Sequence, residues 1–404
     1  MKRKIIMKIC KKLTALLLCF ITVFGFASCA DDSLVELFVT HFTQGGGLYM
    51  KDGWNEDISE PDFVDFTVYR KHLDKLNETQ QRAYKFIYNS IFSHPEKIYI
   101  KNISSDELLE VFEALKYDNA HMTCLADDFR FLESGSMVCL IPNYTHTSEE
   151  CLTRGETLVS QAKEVISVFE TENEEDDFVK EVFVNDAIAI RCAYGESENS
   201  SNASGVFFDE KAVCTGYSLA AKLLFDLCSI ESFAVSGKAK QDEAPEGHMW
   251  LVVKIDGLWY HFDPTWNDPE SKNEENMYGY RYFNLTTEEI SKTHSDFTLP
   301  EDVECVSTEA QYYIRNGLYC TKENWRDVIE HTVQSVVFSL PACASFEFES
   351  SQLLESVCDS LFVSSSYLAR VLNGVYKYTG KNASDYTLAY STDKNRNILE
   401  IYFK

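Results

Sequence analysis

The chain has 404 residues, 45% hydrophobic, 25% charged and 13% aromatic, which excludes a disordered chain and leaves enough apolar side chains for a sizeable core. Acidic residues number 64 against 37 basic, a formal net charge of −27, and that balance excludes a nucleic-acid binder or a protein held to anionic lipid by basic patches. Thirteen cysteines are too few to staple a chain of this length with disulfides, yet many for an ordinary surface protein.

Lys2, Arg3, Lys4, Lys8, Lys11 and Lys12 precede an apolar run from Leu13 to Phe26. The run has about 14 residues, short of the roughly 20 needed to span a bilayer as a helix, so residues 1–29 read as a signal peptide. Phe26-Ala27-Ser28-Cys29 resembles the lipobox of bacterial lipoproteins, which implies lipidation at Cys29; the alternative is ordinary cleavage near Ala27–Ala30 with Cys29 incidental. Removing residues 1–29 removes six basic residues and no acid, so the mature net charge is −33. The expected location is the extracellular face of a bacterial membrane, held by lipid only.

Residues 30–60, with Gly45-Gly46-Gly47, read as a tether or irregular lead-in. Residues 61–150 read as an N-terminal α/β domain. Asn77 with Gln80 predicts a capped helix over 78–92, with Ala83, Phe86, Ile87 and Ile91 on one face; Lys97–Ile100 predicts a strand. Ser104 with Glu107 caps a second helix, and strands follow at 129–133 and 136–142. Residues 151–298 form the expected core, with helices over 156–170 and 178–191 separated by an acidic run that reads as a solvated loop, then a polar loop at 196–204. Residues 299–404 read as a C-terminal α+β domain, with strands at 334–340, 345–349, 385–391 and 397–403 and helices at 351–361 and 365–374.

The chemistry concentrates in 204–268. Leu219, Leu223, Leu224 and Leu227 repeat at helical spacing behind Cys214, which places its thiol near a helix N-terminus, where unpaired N–H groups favour a thiolate. Gly216 allows close approach of a substrate or another backbone. Asp256-Gly257 between alternating apolar runs predicts a two-residue hairpin of Trp250–Ile255 with Leu258–Asp263. Its register sets Trp250 opposite Asp263 and His248 opposite Thr265, all four on one face, with His248 and Asp263 as diagonal neighbours. His261, opposite Val252, is a rival base further from the open end.

These residues resemble the transglutaminase-like superfamily, a papain-like thiol fold. The family pattern reads approximately V-C-x-G-Y, then G-H-A-W-N, then D-G-x-W-Y-x-x-D-x-T-W. The sequence supplies Val213, Cys214, Gly216 and Tyr217, then Gly247, His248 and Trp250, then Asp256, Gly257, Trp259, Tyr260, Asp263, Thr265 and Trp266. It departs at Met249 and Leu251, where the family usually has Ala and Asn. The remainder more loosely resembles lipoproteins of Firmicutes that carry this domain. The resemblance implies an α+β fold with a nucleophile helix on an antiparallel sheet, and a Cys214–His248–Asp263 triad supported by Gly216, Tyr217, Trp250 and Trp259. It also implies amide chemistry on proteins or cell-wall peptides, as peptidase, amidase or transglutaminase.

No cofactor is implied, and neither the acidic runs nor the scattered Cys and His residues make a metal signature. The Cys214 N–H is an expected oxyanion donor; Tyr194 and Trp54 have weak claims to be the second. Trp250, Trp259 and Trp266 read as packing. The other-class alternative is a surface binding or scaffolding lipoprotein that kept the fold without turnover. Cys124, Cys139, Cys151, Cys192, Cys228, Cys305, Cys320, Cys343 and Cys358 are odd in number, so they cannot all pair, and they read as mostly free and buried.

Overall fold

The computed structural model describes residues 47–404 except 124, 173–174, 241–243, 269–278, 339, 341 and 364–365. The signal peptide, Cys29 and most of the expected tether lie outside the described residues. The chain forms two compact units, one from within 1–60, 76–113 and 124–152, the other from 61–75, 114–123 and 153–404. Residues 61–75 and 114–123, expected in the N-terminal domain, therefore belong to the second unit, as does the whole of 299–404.

The first unit holds a four-stranded sheet in the order β1 (Gly47–Tyr49), β2 (Lys97–Lys101), β4 (Met137–Tyr144), β3 (Leu125–Ser134). β1, inside the segment read as a tether, pairs in parallel with β2. Asn77 and Gln80 form the expected capping box ahead of the helix Glu78–Ile91. The Glu107 backbone N–H donates to Ser104 Oγ while the Glu107 carboxylate accepts from the Ser104 N–H, which opens the helix Ser105–Asp118. Phe112 of that helix packs on Phe129 of β3, ring centroids 4.0 Å apart.

A helix runs over Ser148–Glu172, eight residues earlier than periodicity alone suggests. Its start is a capping box of Thr147 and Glu150, in which the Thr147 N–H donates to the carboxylate and the Glu150 N–H to the hydroxyl. The helix Asp177–Arg191 comes next, capped by Asp176. Two-residue strands β5 (Ala193–Tyr194) and β6 (Lys211–Ala212) pair in parallel around the short helix Ala203–Phe207, whose cap is Asn202.

The helix Cys214–Leu227 is the axis of the second unit, buried from Gly216 to Asp226. A helix apolar on nearly all sides is covered on nearly all sides. It lies against the sheet β10 (His294–Ser295), β7 (Ser232–Ala239), β8 (Glu246–Ile255), β9 (Leu258–Phe262), given in spatial order. Asp256 and Gly257, both at positive φ, make the turn between β8 and β9, and Val252 faces His261 as the register requires. The polar Lys222 is fully buried and directs its ammonium at both oxygens of Asp226, 2.6 Å from each.

A third sheet takes the order β11 (Tyr319–Cys320), β12 (Ala342–Phe348), β14 (Ile398–Phe403), β13 (Leu388–Asp393). Among the described residues of the expected strand at 334–340, none is in a strand. The helix Trp325–Val336 covers its first half because Trp325, Ile329 and Val333 repeat at four-residue spacing and bury one face, which overrides the β-branched run Val336-Val337. Arg281 pairs with Glu400, and Arg396 with Glu347 and Glu289, tying this sheet to the segment 281–289.

Candidate active site

Cys214 is the first residue of its helix. The cap residue, Val213, is extended and offers no side-chain hydrogen bond to the helix N-terminus. The local geometry comes from Gly216. A Cβ there would stand 2.3 Å from the Ser200 carbonyl oxygen and 2.8 Å from the Ala212 Cβ, so the close approach expected at this glycine is that of the 200–202 backbone. Ser200 also accepts from the Val213 N–H at 3.0 Å, which fixes the entry to the helix. Across the sheet, the Ser218 hydroxyl donates to the Met249 carbonyl at 3.0 Å and locks the helix to β8 beside His248.

The hairpin register holds as far as Leu251–Phe262 and then ends. Trp250–Asp263 and His248–Thr265 are not ladder pairs; His248 pairs instead with Gly237 of β7. After Phe262 the chain turns into the short helix Pro264–Asn267, because Pro264 has no N–H to give a strand and the Asp263 side chain caps the helix N-terminus. Asp263 Oδ1 accepts from the N–H groups of Thr265 (3.0 Å) and Trp266 (3.2 Å). The turn leaves Oδ2 2.8 Å from His248 Nε2, so the two expected partners meet although their strands have parted. With Nε2 on the carboxylate, the remaining imidazole nitrogen of His248 is Nδ1, and the ring hydrogen-bonds the Cys214 thiol.

Burial alone would push the Cys214 thiol up. The hydrogen bond and charge of His248, aided by the Met249 backbone N–H, outweigh it and hold the thiol below its ordinary value against the opposing charge of Asp263. Burial alone would also lower His248. The Asp263 charge and hydrogen bond overcome this and raise the imidazole to about 10. Asp263 is fully buried, which favours the neutral acid, yet His248 and then His294 hold it well below the usual carboxylate range. Each group thus favours its neighbour's charged form.

The rival base, His261, is engaged elsewhere, by Trp250 and Thr287. His261 is fully buried, its Nδ1 accepts from the Trp250 indole N–H at 3.0 Å, and burial lowers it to about 3. Trp250 is fully buried and stacks on His248 with 19° between planes and 6.1 Å between centroids. Trp266, half-buried, meets the same imidazole at 5.6 Å. Trp259 packs on Phe233. Tyr217 is buried, its hydroxyl donating to the Cys192 carbonyl and meeting Asp268, so it supports the helix from behind. Tyr194 is exposed, its ring 6.3 Å from that of Tyr217; Trp54 packs on Phe86 within the first unit.

Sequence reasoning missed His294. Its Nε2 lies 3.2 Å from the same Asp263 oxygen that His248 uses. Nothing local marks it: it sits 46 residues past His248 and reaches the site through the pairing of β10 with β7. Donor atoms of His248, Asp263 and His294 lie within 4.8 Å of one another, close enough to share a cation. A cation there would take the Nε2 of His248 away from the carboxylate, whereas the hydrogen bonds already satisfy all three, so the cluster reads as a hydrogen-bonded network.

Residues 164–264 match the family model of the transglutaminase-like superfamily. The chain carries a transglutaminase-like core. The matched segment contains Cys214, His248 and Asp263 but stops short of His294. Among solved structures, the chain is similar to one described as a TGase, at 15% identity over 44% of this chain and 53% of that one, with a TM-score of 0.26. It is similar to a candidate cysteine protease from Cytophaga hutchinsonii at 15% identity over 34% and 61%, with a TM-score of 0.24. It is also similar to the periplasmic domain of TgpA from Pseudomonas aeruginosa bound to ethylmercury, at 13% identity over 32% and 55%, with a TM-score of 0.23. This chain thus spans between 53% and 61% of the length of those three chains. No curated protein matches.

Proposed function

We propose that the protein is an exported, lipid-anchored thiol enzyme that transfers the acyl group of an amide through Cys214, His248 and Asp263. The observation that carries this reading is the 2.8 Å contact between His248 and the fully buried Asp263, with the imidazole also bonded to a thiol at a helix N-terminus. The Cys214 thiolate attacks the amide carbonyl carbon, forming a C–S bond and a tetrahedral oxyanion; the Cys214 backbone N–H is the proposed oxyanion donor. The C–N bond then breaks while His248 gives its proton to the leaving amine. Water attacks the resulting thioester with His248 taking a proton, and carboxylic acid and thiol are released. Asp263 holds the ring and stabilises the imidazolium throughout.

Hydrolysis of protein or cell-wall peptide amides is favoured over cross-linking, because water needs no second binding site whereas an amine donor does. The anchor rests on the sequence: the basic start, the apolar run and Cys29. Among the described residues, no helix is long and apolar enough to cross a membrane. Activity-based profiling of the wild type and Cys214→Ala, then a screen of peptide and cell-wall amides, tests the activity. Turnover that survives in Cys214→Ala would remove Cys214 as nucleophile. Labelling of Cys214 at the rate of an ordinary thiol would favour a binding lipoprotein. Mass spectrometry of the mature N-terminus tests the anchor, and an unacylated terminus overturns it.

A further inference from the structure

We propose that His294 is a positioning residue that acts on the reaction through Asp263; the proposal rests on Cys214, His248 and Asp263 being the catalytic triad. The fold brings it there by register. His294 pairs with Ala239 of β7, and His248 pairs with Gly237 of the same strand, two residues away. Partners two apart on one strand stand on the same face of the sheet, so the two imidazoles converge from β10 and β8 on one side of β7. Their centroids are 5.3 Å apart, and Asp263 receives both.

The carboxylate is then fully engaged. Oδ1 accepts two backbone N–H groups, from Thr265 and Trp266, and Oδ2 faces two imidazole Nε2 atoms, at 2.8 Å from His248 and 3.2 Å from His294. Both the Asp263 and His294 side chains are fully buried, so solvent cannot replace a missing partner. The Nε2 of His294 faces the carboxylate and is placed to donate to it. Its Nδ1 lies 2.9 Å from the Thr293 hydroxyl, which holds the ring at its other edge. Trp250 and Trp266 close on the ring at 4.8 and 4.7 Å. The ionisable groups that face it are Asp263, His248, His261 and Tyr282.

Without His294, the buried Oδ2 keeps one partner, and the carboxylate and the His248 ring can pivot together away from the thiol. A looser imidazolium stabilises less thiolate, so the titration of Cys214 moves up toward that of an ordinary thiol. This prediction separates positioning from mere packing, which would alter unfolding without altering the thiol.

The test is the rate of Cys214 alkylation by iodoacetamide in the full chain between about pH 4 and 10, with thermal unfolding measured in parallel. In His294→Leu the acid limb is expected to move up by at least about half a pH unit and the plateau rate to fall on the order of 10-fold. His294→Gln, whose amide N–H reaches toward the carboxylate, is expected to restore both. Thr293→Val is expected to shift the limb in the same direction by less. A folded His294→Leu with the wild-type limb and plateau overturns the proposal. Should that variant not fold, a Thr293→Val profile identical to wild type overturns it. A wild-type Cys214 that titrates as an ordinary thiol instead defeats the triad reading itself, before any variant is compared.

Discussion

His248 Nε2 and Asp263 Oδ2 meet at 2.8 Å just beyond the point where their strands stop pairing. Asp263 can reach the ring because it has left the sheet: the same carboxylate caps the helix Pro264–Asn267 with its other oxygen. One side chain therefore ends a strand, starts a helix and orients an imidazole.

Under native conditions a limiting amount of iodoacetamide should modify Cys214 ahead of the other thiols. None of the nine described cysteines is in a disulfide. Burial pushes Cys192 up to about 11 and Cys228, Cys305, Cys320 and Cys343 up to about 12, while Cys214 is held below the ordinary value. Peptide mapping of the labelled protein decides it, and label spread evenly over the cysteines would count against the site.

Asp263→Asn should keep the helix cap, since Asn also caps well, but remove the charge. Burial of His248 is then countered by Cys214 alone, so the imidazole falls from about 10 and its support of the thiolate weakens. Turnover should drop on the order of 10²–10⁴-fold with a small change in melting temperature. The wild-type pair also has a stability signature. Asp263 is lowered, so its contribution is present above the unfolded carboxylate value of roughly 4 and is lost as pH falls. His248 is raised, so its contribution is complete below roughly 6.5 and is lost as pH rises through about 10. The stability gap between wild type and His248→Gln should therefore be widest between about pH 4 and 6.5 and shrink on both sides; a gap independent of pH would contradict the assignment.

Gly216→Ala tests the close approach at the nucleophile helix. Ala in place of Gly inside a helix ordinarily gains roughly 1 kcal/mol. Here the new Cβ meets the Ser200 carbonyl at 2.3 Å, backbone that cannot swing away as a side chain would. The expected sign is reversed, a loss of about 1–3 kcal/mol on chemical denaturation. Cys214 alkylation should slow as well. A stabilised variant would show that the loop yields freely.

Lys222→Met should cost about 3–5 kcal/mol, because it leaves Asp226 buried without its partner. Burial raises Asp226 to about 6 even with Lys222 present to counter it. Adding Asp226→Leu to Lys222→Met should recover most of the loss, since replacing a buried pair by apolar side chains is often neutral. Denaturation midpoints of the three proteins settle this, and equal values for the single and double variants would refute it.

The features legible in the sequence were local in origin. The Asn77–Gln80 and Ser104–Glu107 boxes, the Asp256-Gly257 turn and the leucine spacing behind Cys214 each act over a few residues, so adjacent residues suffice to predict them. The same locality gives the hairpin register as far as Leu251–Phe262, but the meeting of His248 with Asp263 comes from the turn after Phe262. Where a long-range packing face competed with a local preference, local reading failed, as at 334–340, where the Trp325–Ile329–Val333 stripe carries the helix onward. The tertiary structure alone decided the rest. It set Ser200 against Gly216 and brought His294 to the same carboxylate through β7. These outcomes depend on segments remote in sequence meeting in space, and no spacing along the chain encodes that meeting.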